Sequence, residues 1–500
     1  MKSILAAAVS VFTLCSSGAL AQTIEIRDYL AMPTTGSLAG TGNDGQLARI
    51  NSLHGEPGGT DRLFVNDLNG PLYIFDRKAA TPVVYLNLNG RGTQPGLFHR
   101  FTYQAGYANG FVSFRFDPDY TTNGKFYTVH LEEPMVAESA LPDNKTFPRL
   151  NVAGYAVTMP IQTPGEIQRE AILIEWTDTN ISNATFEGTA RELMRVQLNN
   201  RIHPMGEIVF NPASKRGDSD WRVLYIGCGD GGSGEQQSAM RSNPQRLDTV
   251  VGKILRIIPD LREHESSSTV SENGRYRIPN DNPFASTVGA RKEIWAYGLR
   301  NPHRLTWDGA TLIAANVGLH TWESAYIIRK GANYGYPLRE GNETLNQDNT
   351  TAALPADDRI PVQVTDRISA GTVAPSYPGL EYPHTREGGD AISGGFVYRG
   401  KYIFGDITTG RVWYADLAEM IAADDGRAGT LAKIHELTIR WDGELYPGMF
   451  PIVEAAYHSR GGKDPNLPGS STVSGDGRAD IRFATDATGV AESERLAVES

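Results

Sequence analysis

The stretch LFVNDLNGPLYIF, Leu63 to Phe75, sets the fold class. Two short runs of β-branched, aromatic and aliphatic residues flank Asp67-Leu68-Asn69-Gly70-Pro71. Runs of this length bounded by Asp, Asn, Gly and Pro read as strands joined by a turn. The phrase recurs as LYIGCGDGG from Leu224, LIAANVG from Leu312 and YIFGDITTGRVWY from Tyr402. The later copies are roughly 90 residues apart, wider than the usual 40–50 of a propeller blade, so long loops are expected within each unit. A recurring four-stranded unit predicts an all-β chain built as a β-propeller. A large β-sandwich is the alternative that the same periodicity allows. Helical periodicity is scarce, with one helix predicted over Ala415 to Ala423 and a turn near Gln236 to Arg241.

In each copy an acid or amide follows the first strand: Asp67, Asp230, Asn316 and Asp406. Converging at one end of a propeller, these groups would hold a cation or a polyol. Read singly, each makes a hydrogen bond within its own turn.

Composition narrows the function. The 500 residues include 53 Gly and 28 Pro, with 40% apolar residues and a formal charge of −11. That suffices for a large core and argues against a mostly helical chain. No basic tract suits nucleic acid. Lys2, the apolar run Ile4 to Leu14 and the small residues Ala19-Leu20-Ala21 read as an export signal cut after Ala21. Residues 1–21 are thus expected to leave, residues 22–500 to form a single domain, and the mature protein to be periplasmic or secreted. No later run approaches the roughly 20 apolar residues of a membrane span. Cys15 leaves with the signal, so Cys228 stays alone, read as a small apolar residue in a buried strand. Gly-x-Ser-x-Gly, His-Glu-x-x-His, Walker and Cys-x-x-Cys-His motifs are all absent.

One segment exceeds the needs of a turn. In EIWAYGLRNPHRLTWDG, Glu293 to Gly309, two arginines, an asparagine and a histidine sit between two strand-like runs. With HPMGEIVFNP from His203, GKILRI from Gly252, GANYGYP from Gly331 and GGFVYRG from Gly394, the order of motifs from Leu63 to Trp413 resembles the glucose/sorbosone dehydrogenase family. These are soluble quinoproteins using pyrroloquinoline quinone (PQQ) on a six-bladed β-propeller. The resemblance implies that Arg300 and Asn301 hold the quinone, a role suited to the bidentate grip of guanidinium on carboxylate. It implies that His203 is the catalytic base. It also implies that the backbone carbonyls of Val317 and Gly318, with Glu323 nearby, bind the Ca²⁺ that polarises the quinone. Arg399 stands where the family has a quinone-binding lysine, His303 where the glucose enzymes have a glutamine, and Arg411 is a further cationic candidate. Ala108 replaces a family Gln or Glu, with His99, Arg100 and Gln104 as substitutes. The chain's polar end, VAESERLAVES, reads as helix-prone, which leaves the last blade incomplete or closed by Thr23 to Arg27.

The function so implied is an exported, PQQ- and calcium-dependent dehydrogenase. It would oxidise an aldose sugar or similar alcohol to a lactone and pass electrons to an external acceptor. The alternatives are a non-enzymatic binding propeller and a calcium-dependent lactonase.

Overall fold

A computed structural model describes residues 22–37, 46–104, 107–385, 387–465, 467–469 and 477–485, with the backbone of 8–11 and 495–499. The expected export signal otherwise lies outside the described residues. The molecule is all-β, with strands dominating and only short helices between them.

The opening stretch folds as read. Arg62–Asp67 and Pro71–Asp76 pair antiparallel, with Val65 opposite Tyr73. Gly70 turns the chain at φ 128°, where a Cβ would lie 2.3 Å from Asn89 Cβ. The side chains alternate between two packed faces, which is why the strands carry apolar residues at successive positions.

Six main sheets are built from such hairpins, and the innermost strand of each positions the site. These strands are β1 (Ile50–Gly55), β2 (Phe111–Phe116), β3 (Met205–Phe210), β4 (Asn301–Asp308), β5 (Ile392–Tyr398) and β6 (Arg482–Thr485). β1, β3, β4 and β5 each begin an antiparallel sheet running outward in chain order, whereas the sheet of β2 ends on Leu150–Asn151, which pairs parallel with Gly188–Leu198. β4, for example, is followed by Thr311–Val317, Trp322–Ile327 and Leu380–Pro383. β6 edges a sixth sheet that also contains Arg495–Glu499, Ala8–Val11, Thr23–Asp28, Thr438–Trp441 and Glu444–Tyr446. There Thr23–Asp28 runs parallel to Thr438–Trp441. The helix-prone end is a strand instead over Arg495–Glu499, because both its edges are paired. β1 packs on β2, β2 on β3, β3 on β4, β4 on β5, β5 on β6, and β6 on β1.

Each of β1 to β5 carries a register shift close to its first residue, for example between Asn301 and Arg304 and between Ile392 and Gly394. A bulge adds a residue and re-aims the side chains beside it. Five bulges at the same end of neighbouring strands turn that end into an irregular, polar surface; outer strand pairs carry further shifts at Leu72/Tyr73, Leu173/Ile174 and Ile254/Leu255.

The core lies between sheets. Phe64 of β1's sheet meets Phe116 of β2's edge-on, and Phe114, Phe126 and Trp176 of β2's sheet are buried behind it, with Phe126 stacked on Trp176. Cys228 sits fully buried in Leu224–Cys228, and burial pushes its thiol up to about 12. The predicted helix begins later, at Leu417, because Ala415 and Asp416 are claimed by strand Val412–Asp416. The predicted turn is a 3-10 segment at Ala239–Ser242. Helix Phe450–Ser459 was not expected; it buries Ile452, Val453, Ala456 and Tyr457 on one face.

Candidate active site

The bulged ends of the inner strands enclose a cavity of about 360 Å³. His203, Arg300, Asn301, His303, Val317 and Gly318 all line it. Six of the nine residues expected from sequence therefore meet in one place, although they are spread over more than a hundred positions.

His203 precedes β3 with φ 50°, a left-handed backbone that non-glycine residues rarely adopt. Its Nδ1 lies 2.7 Å from Asp230 Oδ1, and its side chain is 10% exposed. Asp230 is completely buried and also accepts the N–H groups of Gly232 and Gly234, each at 2.8 Å. Burial alone would raise the Asp230 carboxyl, but His203, Arg300 and the Gly232 amide hold it below its ordinary value. An ionised Asp230 assigns the proton to His203 Nδ1 and leaves Nε2 as the acceptor. Gly229 makes the approach possible: a Cβ there would meet the His203 carbonyl oxygen at 2.5 Å.

Arg300 is buried beside this pair: its carbonyl accepts the Asp230 N–H at 2.7 Å. Its Nη2 donates to Glu235 Oε2 at 2.9 Å, its Nη1 donates to the Gly318 carbonyl and lies 3.4 Å from that of Val317, and its Nε has no partner among the described residues. Burial opposes the charge, but Glu235 outweighs it, so Arg300 stays a cation. Asn301 Oδ1 is buried and likewise unpartnered. Asn316 Oδ1 accepts the N–H groups of both Arg300 and Asn301, at 3.1 and 2.9 Å, which fixes the backbone that presents them. His303 Nε2 lies 2.8 Å from the Ile392 carbonyl and so carries the proton. Burial, with Arg304 and Arg482 nearby, pushes its ring far below the ordinary imidazole range, so it is neutral.

The expected calcium donors are engaged otherwise. The Val317 and Gly318 carbonyls face the Arg300 guanidinium. Glu323 accepts the Gly318 N–H at 3.1 Å and the Ile392 N–H at 2.8 Å. Burial pushes its carboxyl up, in spite of His384 beside it. A divalent ion on those carbonyls would sit against a fixed positive charge. No cluster of three or more His, Cys, Asp or Glu able to hold a metal occurs among the described residues. As arranged, the Val317 and Gly318 carbonyls face Arg300 and the Glu323 carboxylate accepts backbone N–H groups, so no step is routed through a metal on them.

Two cationic candidates stand away from the cavity. Arg399 is exposed at the hairpin tip after β5, over the Tyr398 ring. At about 3.4 Å per residue over seven residues it is about 24 Å along the chain from Ile392, the end of β5 at the cavity. Arg411 is held by Glu436 at 2.7 Å and lies over Trp413. In their place the structure brings in His384. Its Nε2 is 2.7 Å from Asp390 Oδ1, and its Nδ1 is 3.4 Å from Glu323 Oε1, within ion-pair range but without hydrogen-bond alignment. Burial works against the charge, yet the two carboxylates push this imidazole up to about 10. His384 and Asp390 both line the cavity.

Ala108 lines the cavity too, between Tyr107 and Asn109. His99, Arg100 and Gln104 do not replace the missing family side chain. None of the three lines the cavity, and His99 is bound to the Gly90 carbonyl and Arg100 to that of Glu138. The loop at Leu319–Trp322 is fixed by Glu340, whose Oε1 accepts four successive backbone N–H groups at 2.7 to 3.3 Å. Asp67 accepts the Asn69 N–H of its own turn and the Thr35 hydroxyl, and Asp406 accepts the Thr408 and Thr409 amides of its turn and, with its other oxygen, the N–H groups of Asp390 and Ala391 on the cavity wall. Of the four turn acids and amides, only Asp230 also reaches a cavity side chain, His203.

A model of the family described as glucose/sorbosone dehydrogenase matches residues 61–446, and the chain belongs to that family. It is 28% identical over 270 residues to the HIPL1 protein of Arabidopsis thaliana, covering 49% of this chain and 35% of that protein. It is 30% identical over 156 residues to an Escherichia coli aldose sugar dehydrogenase, covering 31% of this chain and 33% of that one. The chain thus spans about a third of the length of these curated relatives. Among solved structures, the PQQ-bound aldose sugar dehydrogenase of Streptomyces coelicolor superposes with a TM-score of 0.48 at 16% identity, over 93% of this chain and 97% of the other.

Proposed function

We propose that this chain is a dehydrogenase of aldose sugars or similar alcohols that uses PQQ, and that its six sheets are the blades of a six-bladed propeller. The observation that carries the reading is that His203, held by Asp230, lines one cavity together with Arg300 and Asn301. PQQ is a flat tricarboxylate with two ring carbonyls, and the cavity offers matching groups. Arg300 brings an unpartnered buried N–H and a fixed charge, and His384 brings a second cation. These two, with Asn301, would hold the cofactor. Arg478, also on the wall, adds positive charge.

When bound, the quinone would accept a hydride from the anomeric carbon. His203 Nε2 takes the proton of the anomeric hydroxyl. Asp230 keeps the imidazole in the required tautomer and stabilises the cation that forms. Loss of one hydride and one proton leaves a lactone, and the electrons go to an external acceptor. No step is assigned to calcium, because its expected carbonyl donors are engaged by Arg300. Export through the segment ending at Ala21 belongs to the same reading. Among the described residues no helix is long and apolar enough to cross a membrane.

The test is a titration of the purified protein with PQQ, followed by quinone absorbance, and then addition of aldoses with a dye acceptor. Near-stoichiometric binding with dye reduction is expected, and His203→Ala should keep the binding and lose the reduction. Absence of PQQ binding would refute the cofactor assignment and favour a recognition or hydrolytic role.

A further inference from the structure

The same inner strands enclose a second cavity toward their other ends, of about 380 Å³, and nothing in the reaction above uses it. Its wall includes Arg304, Trp307, His54 and Arg115, with the rings of Phe396 and Phe483. Three buried nitrogens of this wall have no partner among the described residues: Arg304 Nε, Trp307 Nε1 and His54 Nε2. Buried donors are almost always satisfied, so three orphans around one cavity mark a missing acceptor.

The charges are also unbalanced. Arg115 donates to Glu207 Oε1 at 2.8 Å, and Glu207 Oε2 takes the Leu305 N–H at 3.0 Å, so that pair is complete. Arg304 is 6% exposed and pairs with no carboxylate among the described residues; its Nη2 reaches the carbonyl and side-chain oxygens of Asn51. Arg482 shares the same Asn51 Oδ1, at 3.3 Å, and lies 3.5 Å from Asp480. A buried guanidinium without a counter-charge is costly, and a bound anion removes that cost. His54 does not add charge: burial, with Arg115 and Arg304 beside it, holds it far below the ordinary imidazole range.

We propose that this second cavity binds a small organic monoanion. Its carboxylate would accept from Arg304 and the Trp307 indole, and its apolar body would lie against Phe396 and Phe483. One uncompensated guanidinium calls for one negative charge, and the saturated Glu207 disfavours more.

Calorimetric titration with benzoate and acetate tests this, with benzamide and chloride as controls. Benzoate is expected to bind one to one and at least about tenfold more tightly than benzamide, with acetate weaker for want of a ring and chloride weaker still. Arg304→Met should abolish binding. Because that change is buried, Ala484→Trp is the companion variant: it fills the cavity from its rim and leaves Arg304 in place, and it too should abolish binding. Equal affinity for benzoate and benzamide would overturn the proposal. So would unaltered benzoate affinity in Ala484→Trp, which would send the anion to the first cavity, at the bulged strand ends. No heat from either carboxylate would also overturn it, leaving a cavity that holds water only. None of these outcomes bears on PQQ binding, which is read separately by quinone absorbance.

Discussion

Replacing His384 by Gln should remove a stabilising contribution that depends on pH in one direction. The wild-type imidazole lies between Asp390 and Glu323 and is pushed up to about 10, against 6.5 for an ordinary histidine. A group whose folded value lies above its unfolded value stabilises the protein fully below the unfolded value. That stabilisation is lost as pH rises through the folded one. The window therefore runs from about pH 6.5 to about pH 10. The displacement corresponds to at most about 5 kcal/mol. The geometry supports less, since only the Asp390 contact is a well-aligned charged hydrogen bond, a contribution of about 1.5–3 kcal/mol. We expect His384→Gln to lose about 1.5–3 kcal/mol at pH 6, with the two stability curves converging by pH 10. Urea denaturation of both proteins at pH 6, 7.5, 9 and 10 measures this, and the His384 ring proton shift reads the titration directly. A deficit that is constant across the series, or grows with pH, would refute the claim that His384 is a carboxylate-bound cation.

Three further outcomes follow from the same geometry. Asp230→Asn should lower turnover about 10²–10⁴-fold with PQQ affinity little changed, because the amide no longer fixes the His203 tautomer; steady-state dye reduction checks it, and a change within twofold would count against the pair. Gly229→Ala places a Cβ 2.5 Å from the His203 carbonyl oxygen, so it should displace His203 and cost turnover before it costs fold; melting temperature and kcat measured together separate the two. Arg195→Met should destabilise the protein by about 3–5 kcal/mol, since it leaves Glu132, Glu170 and Glu192 buried without their shared guanidinium; urea denaturation showing no loss would mean that these carboxylates are already neutral.

Much of this molecule was legible in order along the chain. Alternating apolar runs broken by Asp, Asn and Gly announce hairpins, because strand pairing and turn conformation are local demands. Leu63 to Phe75 meets them within its own thirteen residues, and Cys228 reads as core for the same reason. The motif around Arg300 and Asn301, and His203 before its strand, also stand out, because each concentrates polar side chains where a turn needs few. What the sequence could not settle is which side chains meet. His384 and Asp390 look like ordinary residues of a Gly-rich loop, and only the bulged start of β5 beside Glu323 makes them a buried ion cluster. Arg399 looks like a cofactor ligand until the hairpin puts it at the far end of its strand. The Val317 and Gly318 carbonyls suit a cation by type, and the fold supplies that cation as Arg300. Local pattern fixes strands and turns through short-range sterics and burial. Partnership between charges is decided by strand order and register, which bring together residues more than a hundred positions apart.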